Sequence, residues 1–203
     1  MSVTNYEVRH VERRAIAYFI EQWHYSGSIN GCIADYCFSL HDGERMIGAM
    51  FYGRMAMAGQ WKRFAEKESD VTELRRLCCI DDTPKNTESF FIGATLRWLK
   101  RNTAHRIVVS YADAEHGHTG TIYRASNFTL EGKRAGARVI LFNGKRYHDK
   151  AIRTKYKGKL KPFAARIKAA LDTGEAVYAT TAGKFCYTFE LRKPNVPNAE
   201  TAT

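Results

Sequence analysis

Apolar side chains in this chain switch between two spacings, and the switches mark out its elements. From Val11 to Trp23 they recur at helical spacing (Val11, Ala15, Ala17, Tyr18, Phe19), and His24-Tyr25-Ser26-Gly27 ends the run. Ile33 to Leu40 and Arg45 to Tyr52 read as two strands joined by His41-Asp42-Gly43-Glu44, whose Asp-Gly pair is a hairpin signal. Gln60 to Glu68 fits a short helix. Glu73 to Ile80 alternates apolar and polar residues before turning wholly apolar, which predicts a strand that Asp81 to Asn86 breaks. Ser89 to Arg101 returns to helical spacing through Phe90, Phe91, Ala94, Leu96 and Leu99, and Ile107-Val108-Val109 is a short buried-strand signal. A helix carrying Ile122 to Phe128 follows. Val139 to Phe142, Asn143-Gly144 and Lys145 to His148 predict a second hairpin. Lys161 to Leu171 predicts a basic helix, Phe185 to Leu191 a late strand, and Lys193 onward a frayed tail.

Between the short strand and the next helix lies a dense polar run, Ser110 to His118. Open α/β sheets place ligands just past the carboxyl ends of their strands, so this run is the candidate site. At 203 residues, with no shift in composition, the chain is expected to form one domain over 1–203. The polar N-terminus and the lack of a long apolar run lead to the expectation of a cytoplasmic protein without a membrane anchor. Five cysteines show no Cys-x-x-Cys spacing, which fits buried, inert thiols in a reducing compartment.

Charge changes this picture in one place. Between Lys133 and Lys168, thirteen lysines and arginines face one acid, Asp149, while the rest of the chain has nineteen basic and twenty acidic residues. The net charge of +11 therefore sits in a single segment, with Phe142, Tyr147, Tyr156 and Phe163 interleaved. Such a mixture suits a phosphate backbone. Lys145, Arg146, Arg153, Lys155, Lys157 and Lys159 are its candidate nucleic-acid contacts, with a solvated basic face as the alternative.

The order of elements resembles the Gcn5-related acyltransferase fold: a mixed central sheet flanked by helices, of α+β or α/β class, here with a basic C-terminal extension. That resemblance implies a gap between two diverging strands that admits an acyl donor. It also makes Tyr123, followed by Asn127-Phe128, a proton donor to a leaving group, although a buried tyrosine that only packs its helix is an equal reading. In that fold a glycine-rich loop holds the coenzyme A pyrophosphate. The corresponding stretch here, Lys85-Asn86-Thr87-Glu88-Ser89-Phe90, has no glycine and carries an acid.

Longer runs point to a specific family. Glu73-Leu74-Arg75-Arg76-Leu77, Asp81-Asp82, Lys85 to Gly93, Leu96 to Arg101, Ser110-Tyr111-Ala112-Asp113, Gly117-His118 with Gly120, and Ile122-Tyr123 closely resemble the Mom family of phage DNA-modification proteins. His24-Tyr25-Ser26-Gly27 and, more weakly, Asn143 to His148 extend the likeness. The resemblance implies conversion of adenine in double-stranded DNA to N6-carbamoylmethyladenine, which protects the DNA from restriction. An adenine N6 amine is a weak nucleophile and is stacked within the duplex, so the base would be extruded. Tyr25, Trp23 or Tyr111 would stack on it, with His24 beside them. Asp113 would accept the N6 proton, its alternatives being a helix N-cap or a loop hydrogen-bonder.

Ser89 would hydrogen-bond the donor or cap its helix, and Arg75 and Arg76 border the donor gap, with Lys85 and Asn86 in the loop beyond. His116 and His118 are weak metal candidates, iron being preferred, without a complete ligand set. Because a carbamoylmethyl group is an isomer of a glycyl group, the donor is expected to be glycyl-tRNA, with acetyl-coenzyme A and a separate nitrogen source as the competitor. Two readings of other kinds remain: an ordinary acetyl-coenzyme A-dependent N-acetyltransferase, and a non-catalytic nucleic-acid binder.

Overall fold

In the computed structural model, which describes residues 5–193, the elements run in chain order as β1 (Tyr6–Val11), α1 (Arg13–Trp23), β2 (Tyr36–Asp42), β3 (Arg45–Gly53), β4 (Val71–Cys79), α2 (Thr87–Asn102), β5 (Ile107–Asp113), α3 (Thr121–Ala125) and β6 (Thr129–Arg134). They continue as β7 (Arg138–Phe142), β8 (Lys145–His148), β9 (Lys155–Tyr156), β10 (Lys159–Leu160), α4 (Pro162–Thr173), β11 (Val177–Thr180) and β12 (Lys184–Glu190). Seven strands form the main sheet in the order β1-β2-β3-β4-β5-β12-β6. The tail expected beyond Lys193 lies outside the described residues. Among those residues, no helix is long and apolar enough to cross a membrane.

The chain divides into two compact units. A sheet unit holds the described residues within Met1–Ala112, Gly120–Gly132 and Cys186–Thr203, and a basic unit holds Asp113–Thr119 and Lys133–Phe185. The sheet unit is built on the antiparallel strands β1 to β4. Phe38, Leu40, Met50, Phe51 and Tyr52 are fully buried on them. Helix α1 presents Ile16, Phe19 and Ile20 to β2, β3 and β4, at the i, i+3, i+4 spacing that puts three side chains on one stripe. Helix α2 adds Phe91, Ile92, Leu96 and Leu99 against β1 and β4. Burial of each large side chain stabilises by about 1.5–3 kcal/mol. Glu88 in the first turn of α2 and Lys100 and Arg101 in its last oppose the helix dipole favourably.

Several expectations are corrected here. Residues 60–68 form two short 3-10 turns, Gln60–Arg63 and Glu68–Asp70, rather than one helix. The strand expected over Ile107–Val109 continues to Asp113, so Ser110 to Asp113 lie on the strand and not in a loop. The helix carrying Tyr123 spans only Thr121–Ala125. Asn127 takes a left-handed φ of 62°, and the Phe128 amide donates to the Tyr123 carbonyl, turning the chain into β6.

The basic unit contains a three-stranded sheet, β11-β7-β8, covered by α4. Its core is Ile140, Phe142, Ile167, Ala170 and Ala176. The Asn143-Gly144 turn has φ of 49° and 69°, the pair of left-handed residues that a two-residue hairpin uses. The unit's main stretch lies between β6 and β12, which are neighbours in the seven-stranded sheet.

Candidate active site

Strands β4 and β5 run parallel, paired from Val71↔Ile107 to Leu74↔Ser110, where the pairing ends. One residue later β4 has a bulge. Phe51 of β3 faces Arg76 and Tyr52 faces Leu74, so Arg75 is the extra residue. A bulge bends its strand and sharpens the local twist, and this one falls where the β4–β5 pairing stops. The two strands thus open into a fork with Leu74 and Ser110 at the apex.

Polar groups concentrate at that apex. Ser110 is fully buried and its Oγ donates to the Leu74 carbonyl at 3.3 Å. Tyr123 lies beside Ser110, and its ring packs on Phe128 and Tyr187 at 5.5 and 5.3 Å. Burial pushes the Tyr123 phenol up to about 12. The Ser110 hydroxyl works against that shift, while Tyr25, Glu73 and Tyr187 add to it. Tyr123 therefore holds its proton at neutral pH, as a donor must. Gly120 makes its placement possible: a Cβ there would lie 2.2 Å from the Tyr187 ring, at a φ of +80°.

Next to the apex, Glu73 and Arg75 form a buried ion pair at 3.5 Å, with side chains only 9% and 10% exposed. Glu73 also accepts from the Ala56 amide. Arg75 donates to the Arg54 carbonyl at 3.0 Å and to Cys32 Sγ at 3.4 Å, so one guanidinium ties two loops to the bulge. Arg76 donates through Nε to Ser26 Oγ at 3.1 Å and through Nη1 to its neighbour's carbonyl. Ser26 is bonded in turn to His24 Nδ1, through Oγ at 2.8 Å and through its backbone amide at 3.1 Å, and the His24 ring lies 4.2 Å from that of Tyr25. The His24-Tyr25-Ser26-Gly27 turn is thereby fastened to β4, with Tyr25 half exposed. Neither Arg75 nor Arg76 simply meets solvent.

At the start of α2, Asn86 adopts a left-handed φ of 73° without a glycine. Ser89 Oγ donates to the Asn86 carbonyl and Thr87 Oγ1 to the Pro84 carbonyl, so both hydroxyls close the turn on itself. Lys85 is exposed beside them. Tyr111 packs against the cluster of Val71, Val109 and Cys186, and its hydroxyl accepts from Gln60 Nε2 at 2.7 Å. Burial raises the thiols of Cys78, to about 12, and of Cys79, which makes both poor nucleophiles.

Asp113 belongs to the basic unit. Its Oδ1 accepts from the Glu115 amide at 3.1 Å, capping the Ala114–His116 turn, and its Oδ2 meets Lys184 Nζ at 3.1 Å. Partial burial works to raise its pKa, but the Lys184 bond and charge outweigh that and hold it below the ordinary value, so Asp113 is a carboxylate. Glu115 pairs with Arg146. Ring centres of His116 and His118 are 6.4 Å apart, and no group of three or more metal-ligating side chains occurs among the described residues. With both nearby carboxylates held by cations, the donor set that iron requires is not assembled.

Lys145, Arg146, Arg153, Lys155, Lys157 and Lys159 are all exposed. The one acid of the basic stretch, Asp149, is shared by Arg138 at 3.7 Å and Arg153 at 3.1 Å. Two residues of the fork, Ser110 and Glu73, were not singled out by sequence. The i, i+2 spacing of Glu73 and Arg75 on a strand was the available signal for one of them.

The model of the Mom protein family matches residues 5–199. Methylcarbamoylase mom of Escherichia phage Mu is 28% identical over 110 residues, which are 53% of this chain and 45% of the phage protein, so the match spans under half of that relative. Among solved structures, yncA of Salmonella typhimurium with its cofactor acetyl-CoA superposes with a TM-score of 0.55 at 8% identity, covering 97% of this chain and 99% of that one. Arabidopsis thaliana NAA60 in complex with acetyl-CoA gives 0.55 at 9% identity over 91% and 98%. These likenesses show the expected fold, that of the Gcn5-related acyltransferases, with a mixed sheet flanked by helices.

Proposed function

This chain belongs to the Mom protein family, and from that premise we propose that it is a phage DNA-modifying transferase that installs a carbamoylmethyl group on adenine N6. The observation that carries the reading is the fork itself. A protonated, buried phenol lies beside the apex serine, where the pairing of two parallel strands ends next to a buried Glu73–Arg75 pair. That is an arrangement for delivering a proton to a leaving group in acyl transfer.

The donor we propose is a glycine ester of tRNA. The N6 nitrogen attacks the ester carbonyl, a carbon–nitrogen bond forms, and the ester carbon–oxygen bond breaks. Tyr123 protonates the departing oxygen and recovers a proton from the attacking nitrogen through solvent. The resulting glycyl amide is an isomer of the carbamoylmethyl product: the glycine amine then attacks C6 through a five-membered ring, the C6–N6 bond breaks, and a proton passes from the amine to the released nitrogen, which becomes the carboxamide. The turn at the start of α2 supports an ester donor over a pyrophosphate-bearing one. It has no glycine, places Glu88 in the first helical turn, and directs its Ser89 and Thr87 hydroxyls to chain carbonyls. Half-exposed Tyr25 is the proposed stacking surface.

The test is to incubate the purified chain with adenine-containing DNA and glycine-labelled tRNA, then to analyse nucleosides by mass spectrometry. Label in N6-carbamoylmethyladenine is expected, lowered by about 10²–10⁴-fold in the Tyr123→Phe variant. Efficient transfer from acetyl-coenzyme A with none from the charged tRNA would refute the donor. Unaltered adenosine with every donor would refute the reaction.

A further inference from the structure

We propose that the β9–β10 ribbon of the basic unit is a duplex-DNA docking element, whose Lys157 at the turn enters the major groove while the cleft along the ribbon takes backbone phosphates. The identity of the polymer rests on the reading above. The surface itself is argued from residues with no part in the fork.

The basic unit contains two hairpins with the same turn geometry and different residues. Asn143-Gly144 joins β7 to β8 with φ of 49° and 69°, and Lys157-Gly158 joins β9 to β10 with φ of 47° and 78°. Asparagine and glycine accept left-handed backbone readily, whereas lysine there costs roughly 1–2 kcal/mol. The second turn thus keeps a cation at its apex against the local preference of the backbone. Folding gives no reason for that choice, and a polyanionic partner does.

The rest of the ribbon repeats the message. Lys155 lies opposite Leu160, and Tyr156 opposite Lys159. Lys155 and Leu160 line an open cavity of about 560 Å³ together with Ile152, Arg153, Gly158 and Lys168. Three cations and no acid face that space. Arg153 also pairs with Asp149, but Lys155, Lys157, Lys159 and Lys168 have no ion pair among the described residues. Like charges gathered this closely repel one another until a counter-charge arrives.

A duplex fits better than a single strand. The major groove, about 12 Å wide, admits a two-stranded ribbon. A single strand calls for a series of free aromatic faces. The ribbon has only Tyr156, 65% exposed, with Lys157 Nζ 5.5 Å from its ring centre.

Fluorescence anisotropy of the full chain with a short adenine-containing duplex, measured across a salt series, tests this. The variant Lys155→Gln/Lys157→Gln/Lys159→Gln is expected to bind on the order of 100-fold more weakly at 0.1 M salt, with a log–log salt slope shallower by about 2.7. Replacing the same three lysines with arginine is expected to keep affinity within about threefold, since phosphate contact needs the charge. A control of equal charge change at exposed sheet-unit positions, Lys62→Gln/Arg63→Gln/Lys67→Gln, is expected to leave the slope unchanged. An unaltered slope in the ribbon variant, an equal loss in the control, or equal affinity for the single strand with the same loss overturns the proposal. Loss of groove binding without any adduct in wild-type reactions would leave the ribbon assignment standing and remove the proposed chemistry. Adduct formation with an unaltered salt slope would do the reverse.

Discussion

The sheet unit and the basic unit handle charge in opposite ways. The sheet unit encloses a charged pair: Glu73 and Arg75 are about nine-tenths buried and bonded to each other, and Ser110 and Tyr123 are buried nearby. The basic unit turns its charge outward, with six candidate cations exposed over a core of five buried residues. Enclosed charge fixes geometry, because a buried polar group without its partner is costly. Exposed charge fixes little, but it reaches a distant polyanion and is tunable by salt. The contrast separates a part whose charged and polar groups are held in fixed positions from a part whose charges face solvent.

The contrast breaks most readily at the ion pair. Arg75→Met is expected to destabilise the protein by about 3–5 kcal/mol, because it leaves Glu73 buried without its partner. Thermal melting checks it, and a loss below about 1 kcal/mol would mean that the pair is not truly enclosed. Gly120→Ala comes next. Its Cβ would meet the Tyr187 ring at 2.2 Å in a left-handed backbone, and a loss of about 2–4 kcal/mol is expected from combined overpacking and strain. Tyr123→Phe is expected to cost only about 1 kcal/mol in stability while lowering product formation by about 10²–10⁴-fold. Equal loss in both measurements would assign the hydroxyl to packing alone.

The smallest effect sharpens the other side. Asp113 sits with an exposed lysine, so Asp113→Asn is expected to cost within about 1 kcal/mol at neutral pH. Its carboxyl pKa is depressed by folding, so the contribution is present above the ordinary value of 3.8 and is lost as pH falls through the lower folded value. Chemical denaturation of the two proteins should therefore converge in acid. A gap that persists there would place the effect elsewhere than in the ion pair.

Much of the sheet was legible because its strands are buried. Ile47 to Tyr52 and Val108-Val109 stand out as apolar runs, and the Asn143-Gly144 hairpin follows from turn chemistry. Strands at the margins were not read. Tyr6–Val11 pairs with only one neighbour and leads directly into α1, while Thr129–Arg134 is mostly polar with an interior glycine. The candidate site was legible as residue types and not as geometry. For Ser89 and Asp113 the sequence left a chemical role and a cap both open; Ser89 bonds back to the Asn86 carbonyl, and Asp113 caps a turn. The Arg75 bulge and the approach of Tyr123 to Ser110 depend on strand registers and on helix closure, which no local spacing encodes.

Because β6 and β12 lie side by side in the sheet, the chain leaves and re-enters the sheet at neighbouring strands to build the basic unit. Closing a longer excursion costs only about 0.6 kcal/mol per doubling of its length. An architecture of this kind can lengthen, shorten or exchange that excursion while the strand order of the sheet stays the same.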